Sequence, residues 1–368
     1  TKQKGNKAEM KTYSDSFSVG SLTDFQQNFI KENMIFADIE TTGLSASRNQ
    51  IYCIGCGFRK GSQIRIELLF AENPEEETAV LESFFRLLSG FDTIITFNGT
   101  TFDLPFIRKR AGLLSSVWLN SSEIGDISSV DLYRETGRLK NLLELPSCRQ
   151  KSVEQFLGCC RDDRYTGDEL IDVYRKYVKE QDPDLLHLLL LHNFEDVKGM
   201  FSLTGILSYR QLGDGRFRVT DTLRETEDHR DYLNIKIVPE FAFPRSIHKR
   251  SVDSSLALGQ EAALIRFPLK HGILKRFFSD PENYYYLPDE DTAVHKSIGE
   301  FVDPSHRKKA TKKNCYVKKE CDYVEIPVRT PESCLKKEYN EKNTYLEIPS
   351  GYDSCRDFLQ KYFSQYIK

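Results

Sequence analysis

Met34, Ile35 and Phe36 form a short apolar run that passes into alternation, with Asp38 and Glu40 on one side and Ile39 on the other. This pattern predicts a strand over Met34 to Ile39. Side chains alternate faces along a strand, so the two carboxylates point the same way. Gln50 to Phe58 and Gln63 to Phe70 predict two more strands, with turns at Gly43-Leu44-Ser45 and Arg59-Lys60-Gly61. Such short connections favour an antiparallel meander. Pro74 opens a helix with Glu75, Glu76 and Glu77 in its first turn, where the dipole favours acids. Its apolar face is Val80, Leu81, Phe84, Phe85, Leu87 and Leu88, and Gly90 ends it.

Thr93 to Phe97 predicts a fourth strand, broken at Asn98-Gly99, and Pro105 starts a helix to about Ala111. A strand reached through a helical crossover is expected to lie parallel to the first. Asp131-Leu132-Tyr133 reads as a further short strand. Helical periodicity then dominates, over about Leu139 to Leu145, Ser152 to Leu157, Gly167 to Lys179, and Pro183 to about Leu207. After about Gln211 alternation replaces it, at Asn234 to Val238, Ala263 to Pro268, Tyr284 to Leu287, Tyr316 to Lys318 and Tyr323 to Val328. A helix over about Tyr352 to Tyr366 closes the chain.

Three parts follow from this order. Residues 1–30 read as a polar arm with one short helix at Ser21 to Ile30, capped by Ser21. Residues 31–207 read as an α/β domain, a mixed sheet of about five strands flanked by helices. Residues 208–368 read as a second, mostly β (α+β) domain. The length of 368 residues allows both to bury a core. A net charge of −3 gives no global attraction for nucleic acid, so any such argument must come from local patches.

Leu185 to Leu191 is the longest dense apolar run, is interrupted by His187, and falls far short of the ~20 residues that span a bilayer. The chain opens Thr1-Lys2-Gln3-Lys4 without Met or a visible signal peptide, which predicts a trimmed start. Nine cysteines, at 53, 56, 148, 159, 160, 315, 321, 334 and 355, are odd in number and irregular in spacing. They are expected to be reduced thiols of a cytoplasmic protein. Cys53 and Cys56 form a C-x-x-C in an apolar stretch and read as buried strand thiols rather than a zinc or redox pair.

Two carboxylates sharing one strand face repel each other and are costly to desolvate, and a divalent cation relieves both problems. Taken alone, Asp38 and Glu40 also fit two solvated acids. Two further acids bear on the choice. Asp103 stands at a helix start, where it is equally a candidate N-cap. Asp196 follows His192 at i, i+4 in the long helix, on the same face. Four carboxylates can hold two divalent ions ~4 Å apart, beside a histidine that orients or deprotonates water for attack on phosphorus.

The stretch Asp38-Ile39-Glu40-Thr41-Thr42-Gly43-Leu44 resembles the first motif of the DEDD 3′–5′ exonucleases. Asn98-Gly99-Thr100-Thr101-Phe102-Asp103-Leu104-Pro105-Phe106-Ile107 resembles the second, in the form found in proofreading domains of family B DNA polymerases. His192-Asn193-Phe194-Glu195-Asp196 resembles the third. Ile51 to Gly57, Asp131 to Arg134 and Leu190 to Asn193 bring residues 34–207 closer still to the YprB-type branch of the ribonuclease-H-like superfamily. The resemblance implies an RNase H-like fold and metal-dependent 3′–5′ hydrolysis of single-stranded DNA or RNA with two Mg²⁺ or Mn²⁺ ions.

Under it Asp38, Glu40, Asp103 and Asp196 are the metal ligands and His192 is the base or water-orienting group. His192 departs from the family, having the spacing of the tyrosine form of the third motif. Thr41, Thr42, Leu44, Asn98 and Phe102 are expected to meet the substrate end, although Thr41 to Leu44 and Asn98 equally suit plain turns. Asp131 reads as a structural acid and His187 as a packed histidine. The run of Arg307, Lys308, Lys309, Lys312 and Lys313 with Tyr316 has the composition of a single-strand contact, or of a solvated basic loop. A structure-selective endonuclease and a non-catalytic nucleic-acid-binding module are the alternatives.

Overall fold

Lys11–Ser18 is a strand, β1, rather than part of a loosely packed arm. It pairs antiparallel with Gln63–Phe70, from Lys11 opposite Phe70 to Ser18 opposite Gln63. Only Tyr13 and Phe17 turn inward, the pattern of a sheet edge. The computed structural model describes residues 10–114, 127–159, 161–162, 165–250, 254–326, 335–348, 352–364 and 367. The chain divides into two units, residues 1–208 and 209–368.

In the first unit α1 (Asp24–Phe29) is capped by Thr23, not Ser21, through a capping box with Gln26. The Gln26 amide also donates to the Phe201 and Ser202 carbonyls at 2.8 and 3.1 Å. β2 (Met34–Thr41), β3 (Ile51–Lys60) and β4 (Gln63–Phe70) form the expected antiparallel meander. After α2 (Glu77–Leu88), β5 (Thr93–Thr96) pairs parallel with β2. After α3 (Asp103–Leu113), β6 (Ser128–Asp131) pairs parallel with β5. The sheet has six strands in the order β1-β4-β3-β2-β5-β6, one more than expected.

The strand reading of Asp131 to Tyr133 gives way at Asp131. Its carboxylate accepts the Tyr133 N–H at 3.0 Å and caps α4 (Leu132–Leu143). Then come α5 (Gln150–Leu157), α6 (Gly167–Glu180) and α7 (Pro183–Leu203).

The faces of β2 explain the layering. Ile35, Ala37 and Ile39 join Val80, Leu81, Phe84, Leu104 and Ile107 in one buried cluster under α2 and α3. Phe36, Asp38 and Glu40 face the other way. Phe36 packs on Phe201 of α7 with ring centroids 3.9 Å apart. Gly55 and Gly57 on β3 let α7 come close. A Cβ on Gly55 would stand 2.2 Å from Asn193 Oδ1, and one on Gly57 2.5 Å from Phe201 Cε2. Asn193, Val197 and Phe201, four residues apart, thus form the sheet-facing row of α7.

The second unit is mostly β, as its alternation predicts. A short helix, α8 (Arg210–Gly213), precedes β7 (Phe217–Glu227), β8 (Arg230–Pro239), β9 (Ile247–Arg250), β10 (Ser255–Leu258) and the long β11 (Ala263–Phe277). β12 (Tyr284–Leu287), β13 (Thr292–His295), α9 (Lys296–Gly299), β14 (Lys308–Lys309), β15 (Tyr316–Ile326) and β16 (Thr344–Glu347) follow. β11 pairs with β8, β10 and β15 in a seven-stranded sheet, and β13-β12-β14 form a small second sheet. The closing helix, α10 (Tyr352–Ser364), sets Phe358 against Phe267 of β11 and Phe363 against Phe217 of β7. The expected end of a strand at Val328 lies outside the described residues. Among the described residues no helix is long and apolar enough to cross a membrane.

Candidate functional site

The carboxyl ends of the parallel strands β2 and β5 open onto one cleft of about 370 Å³, lined among others by Asp38, Glu40, Thr41, Leu44, Asn98, Phe102, Asp103, His192 and Asp196. Open α/β sheets take ligands at this position. β2 brings Asp38 and Glu40 on its α7-facing side, and α7 brings His192 and Asp196 one turn apart. His192 Nε2 lies 3.5 Å from Glu40 Oε1 and 3.2 Å from Asp196 Oδ2. Asp103 enters from the first turn of α3 and accepts the Ile39 N–H at 3.1 Å. That N–H lies beyond Phe36, where the registered pairing of β2 with β5 ends. The five residues expected to carry the chemistry therefore line one cleft.

The acids crowd. Burial first, and then the charges of Asp196, Asp103 and Glu40, push the Asp38 carboxyl well above its ordinary range. Burial also raises Asp103, to about 7, against the opposing pull of backbone hydrogen bonds. A cluster that costs this much to ionise points to a cation. Glu40, His192 and Asp196 each offer one ligand atom, and these atoms lie within 4.8 Å of one another. Two oxygens and an imidazole nitrogen suit a small divalent ion. Asp38 and Asp103 stand beside this group, outside that tight trio. His192 Nε2 stands within reach of two carboxylate oxygens, a position that suits a metal ligand or a hydrogen-bond donor.

Three neighbours had no role in the sequence reading. Arg161 reaches Asp196 Oδ1, lies 3.1 Å from buried Glu154 and 3.7 Å from Glu195, and so supplies positive charge at the rim of the acids. Tyr52 points its hydroxyl at Glu40 Oε2, 3.5 Å away, and stacks on Tyr174 at 4.0 Å. A register shift puts it there: Glu40 faces Cys53 and Thr41 faces Ile51, so Tyr52 is skipped and turned toward the α7 side. Asn193 donates to Asp38 Oδ2 at 2.8 Å. It sits beside His192 in the third motif, where its position was visible and its bond was not.

The other expected contacts divide. Thr41 donates to the Gly43 carbonyl at 2.9 Å and the Thr42 hydroxyl accepts the Gln50 N–H at 2.9 Å, so both side chains hold the turn. Leu44 is 76% exposed at the lip of the cleft. Phe102 lines the cleft and packs against the core cluster, with Phe106 at 5.5 Å. Asn98 has a left-handed backbone, φ 63°, and lines the cleft too. Asp131 is structural: besides capping α4 it accepts the Asn98 and Thr100 N–H groups at 2.8 and 3.2 Å, and the Thr100 hydroxyl. His187 is exposed, contrary to the packed position its leucine neighbours predict. Cys53 and Cys56 are buried free thiols of β3. Cys148, Cys159, Cys315, Cys321 and Cys355 are free as well, while Cys160 and Cys334 lie outside the described residues.

The basic run belongs to the second unit. Lys308, Lys309, Lys312 and Lys313 are exposed. Arg307 is half-buried, its guanidinium 4.7 Å from the Tyr285 ring and donating to the Gly299 carbonyl. Tyr316 is not available for base stacking. It is 6% exposed, packs on Phe277 at 5.1 Å and gives its hydroxyl to Asp291. The aromatic ring that does stand in solvent nearby in sequence is Phe301, 91% exposed.

Comparison with a protein-family model agrees with the fold. Residues 35–208 match the family model of the RNase_H superfamily. Over 190 residues the chain is 30% identical to the uncharacterized protein YprB of Bacillus subtilis (strain 168). That alignment covers 51% of this chain and 45% of YprB, so the chain spans less than half the length of this relative. Among solved structures, the family B DNA polymerase of the archaeon Pyrobaculum calidifontis shares 16% identity at a TM-score of 0.39, over 70% of this chain and 36% of the polymerase. The metal-free E. coli ExoI–ssDNA complex shares 14% at a TM-score of 0.33, over 58% and 54%. Residues 35–208 are an RNase H-like domain.

Proposed function

We propose that this RNase H-like domain is a divalent-metal-dependent nuclease that hydrolyses single-stranded DNA or RNA from the 3′ end. One observation carries the reading: Asp38, Glu40, Asp103, His192 and Asp196, drawn from β2, α3 and α7, line one cleft, and carboxylates gathered this closely repel one another unless a cation offsets their charge. Glu40, His192 and Asp196 would hold one Mg²⁺ or Mn²⁺, and Asp38 and Asp103 would help to hold a second. Bound divalent ions supply Lewis-acid stabilisation of phosphate oxygens and a water of lowered pKa.

The chain's own residues then bind and orient. Asp103 stays fixed to β2 through the Ile39 N–H. His192 is held between Glu40 and Asp196, and Arg161 offsets part of the Asp196 charge. Leu44 and Phe102 offer apolar surface to a terminal base, and Asp131 braces the Asn98 loop opposite. A cleft of about 370 Å³ is at the small end of ligand pockets, which suits a chain end better than a duplex.

The test is digestion of end-labelled DNA and RNA single strands in Mg²⁺ or Mn²⁺ by the wild type, Asp38→Asn and Asp103→Asn. Each variant is expected to lose about 10³-fold or more in rate, corresponding to several kcal/mol of transition-state stabilisation. Wild-type rates in both variants would overturn the reading. A 3′ block should stop the wild type, and a circular single strand should survive it; degradation of the circle would make the protein an endonuclease instead.

A further inference from the structure

The proposed reaction leaves Cys53, Gly55 and Asn193 without a role, although they lie on β3 and α7 and meet directly behind Asp38. Asn193 is fully buried. Its Nδ2 donates to Asp38 Oδ2 at 2.8 Å and its Oδ1 accepts from the Cys53 thiol at 3.5 Å. A carboxylate accepts only and an amide nitrogen donates only, so the two ends of this amide are not interchangeable. Turning it over would set its oxygen against the Asp38 carboxylate and its NH₂ against a thiol. Gly55 makes the room, since a Cβ there would stand 2.2 Å from Asn193 Oδ1. A glycine within a buried strand weakens it and often marks a close approach of this kind. Asp38 Oδ1 takes no hydrogen bond among the described residues, and Asp38 lines the cleft.

We propose that Asn193, oriented by the Cys53 thiol and admitted by Gly55, is a positioning residue that holds Asp38 with Oδ1 presented to a divalent cation, and thereby sets the metal affinity of the cleft. Of the proposed function it requires only that the cleft binds such a cation. Groups that orient a metal ligand from behind are worth about 10–100-fold in metal affinity. A residue that merely filled the interface between α7 and β3 would change thermal stability and leave metal affinity alone.

The test measures Mn²⁺ binding to the full chain by electron paramagnetic resonance, with no nucleic acid present, in the wild type, Asn193→Leu, Cys53→Ala and Cys53→Ser. Asn193→Leu keeps the volume and removes the donor, and is expected to weaken Mn²⁺ binding about 10–100-fold. Cys53→Ala frees the amide to turn and should weaken binding less, while Cys53→Ser, whose hydroxyl still donates, should restore it. In cleavage assays the metal concentration for half-maximal rate should rise by the same factor. An Asn193→Leu protein that is folded by circular dichroism and binds Mn²⁺ within about twofold of the wild type overturns the proposal. If that variant does not fold, Cys53→Ala decides: unchanged affinity overturns the proposal and weaker affinity restored by Cys53→Ser upholds it. Asn193-dependent Mn²⁺ binding in a protein that leaves every nucleic acid intact would sink the nuclease reading and uphold this one. A wild type that binds no Mn²⁺ sinks both.

Discussion

Asp103 is held at about 7 and Asp38 well above the ordinary carboxylate range, chiefly by burial. Both values are raised on folding, so the folded chain keeps protons that the unfolded chain has released. The stability these groups contribute is complete below the unfolded value near 3.8 and is lost as pH rises through about 7. In EDTA the melting temperature should therefore fall from about pH 4 to about pH 7, and Mg²⁺ or Mn²⁺ should reduce the fall by neutralising the acids. Asp103→Asn should flatten the EDTA profile while abolishing cleavage. Calorimetry across pH checks this, and a wild-type slope in Asp103→Asn would contradict it. The acids and His192 were legible because each sits in a short motif with local spacing. Arg161 was not, since nothing local ties it to Asp196, 35 positions away. Tyr52 was not either, because alternation cannot show a register shift that turns one side chain over.

At the scale of elements, β2 to β5 were readable to within two residues, while β1 was not, β11 runs nine residues past its expected end, and the strands expected at Tyr316 to Lys318 and from Tyr323 are one strand, β15. The β1 sequence, Lys11-Thr12-Tyr13-Ser14-Asp15-Ser16-Phe17-Ser18, needs only two inward side chains because it lies on the sheet edge. The strand–helix boundary at Asp131 was misplaced for a related reason: an aspartate between apolar residues serves a strand end or an N-cap equally well. The contact of α7 with the sheet was also invisible, because glycines report backbone approach only once the partner is known. That contact makes a paired prediction. Gly57→Ala puts a methyl 2.5 Å from Phe201 and should destabilise the chain by about 1–3 kcal/mol. Gly137→Ala, exposed within α4 with nothing within 4 Å of its Cβ, should stabilise it by about 0.5–1 kcal/mol. Urea titrations of the two variants test the pair, and a neutral Gly57→Ala would mean that α7 does not press on β3 as described.

For the whole molecule, the change from helical periodicity to alternation was plain in the sequence, whereas the strand order of the second unit was not. β11 finds partners before and after it in the chain, and such long-range pairing leaves no local mark. The division of labour is itself testable. All the candidate metal ligands lie in residues 1–208, while the exposed lysines 308, 309, 312 and 313 lie in residues 209–368. With a net charge of −3 the chain as a whole does not attract a polyanion, so any phosphate contact by these lysines must act locally. Each phosphate contact on a single strand contributes about 0.7 to the slope of log affinity against log salt. Changing all four lysines to Gln should then lower that slope by up to about 2.8, weaken binding to all sequences alike, and leave Mn²⁺ affinity untouched. Because Tyr316 is buried, Tyr316→Phe should not change oligonucleotide affinity, and Phe301→Ala is the variant that tests stacking. Fluorescence anisotropy of a labelled oligonucleotide from low to moderate salt gives the slope. An unchanged slope in the four-lysine variant would assign all strand contacts to other surfaces and leave the basic run as a solvated loop.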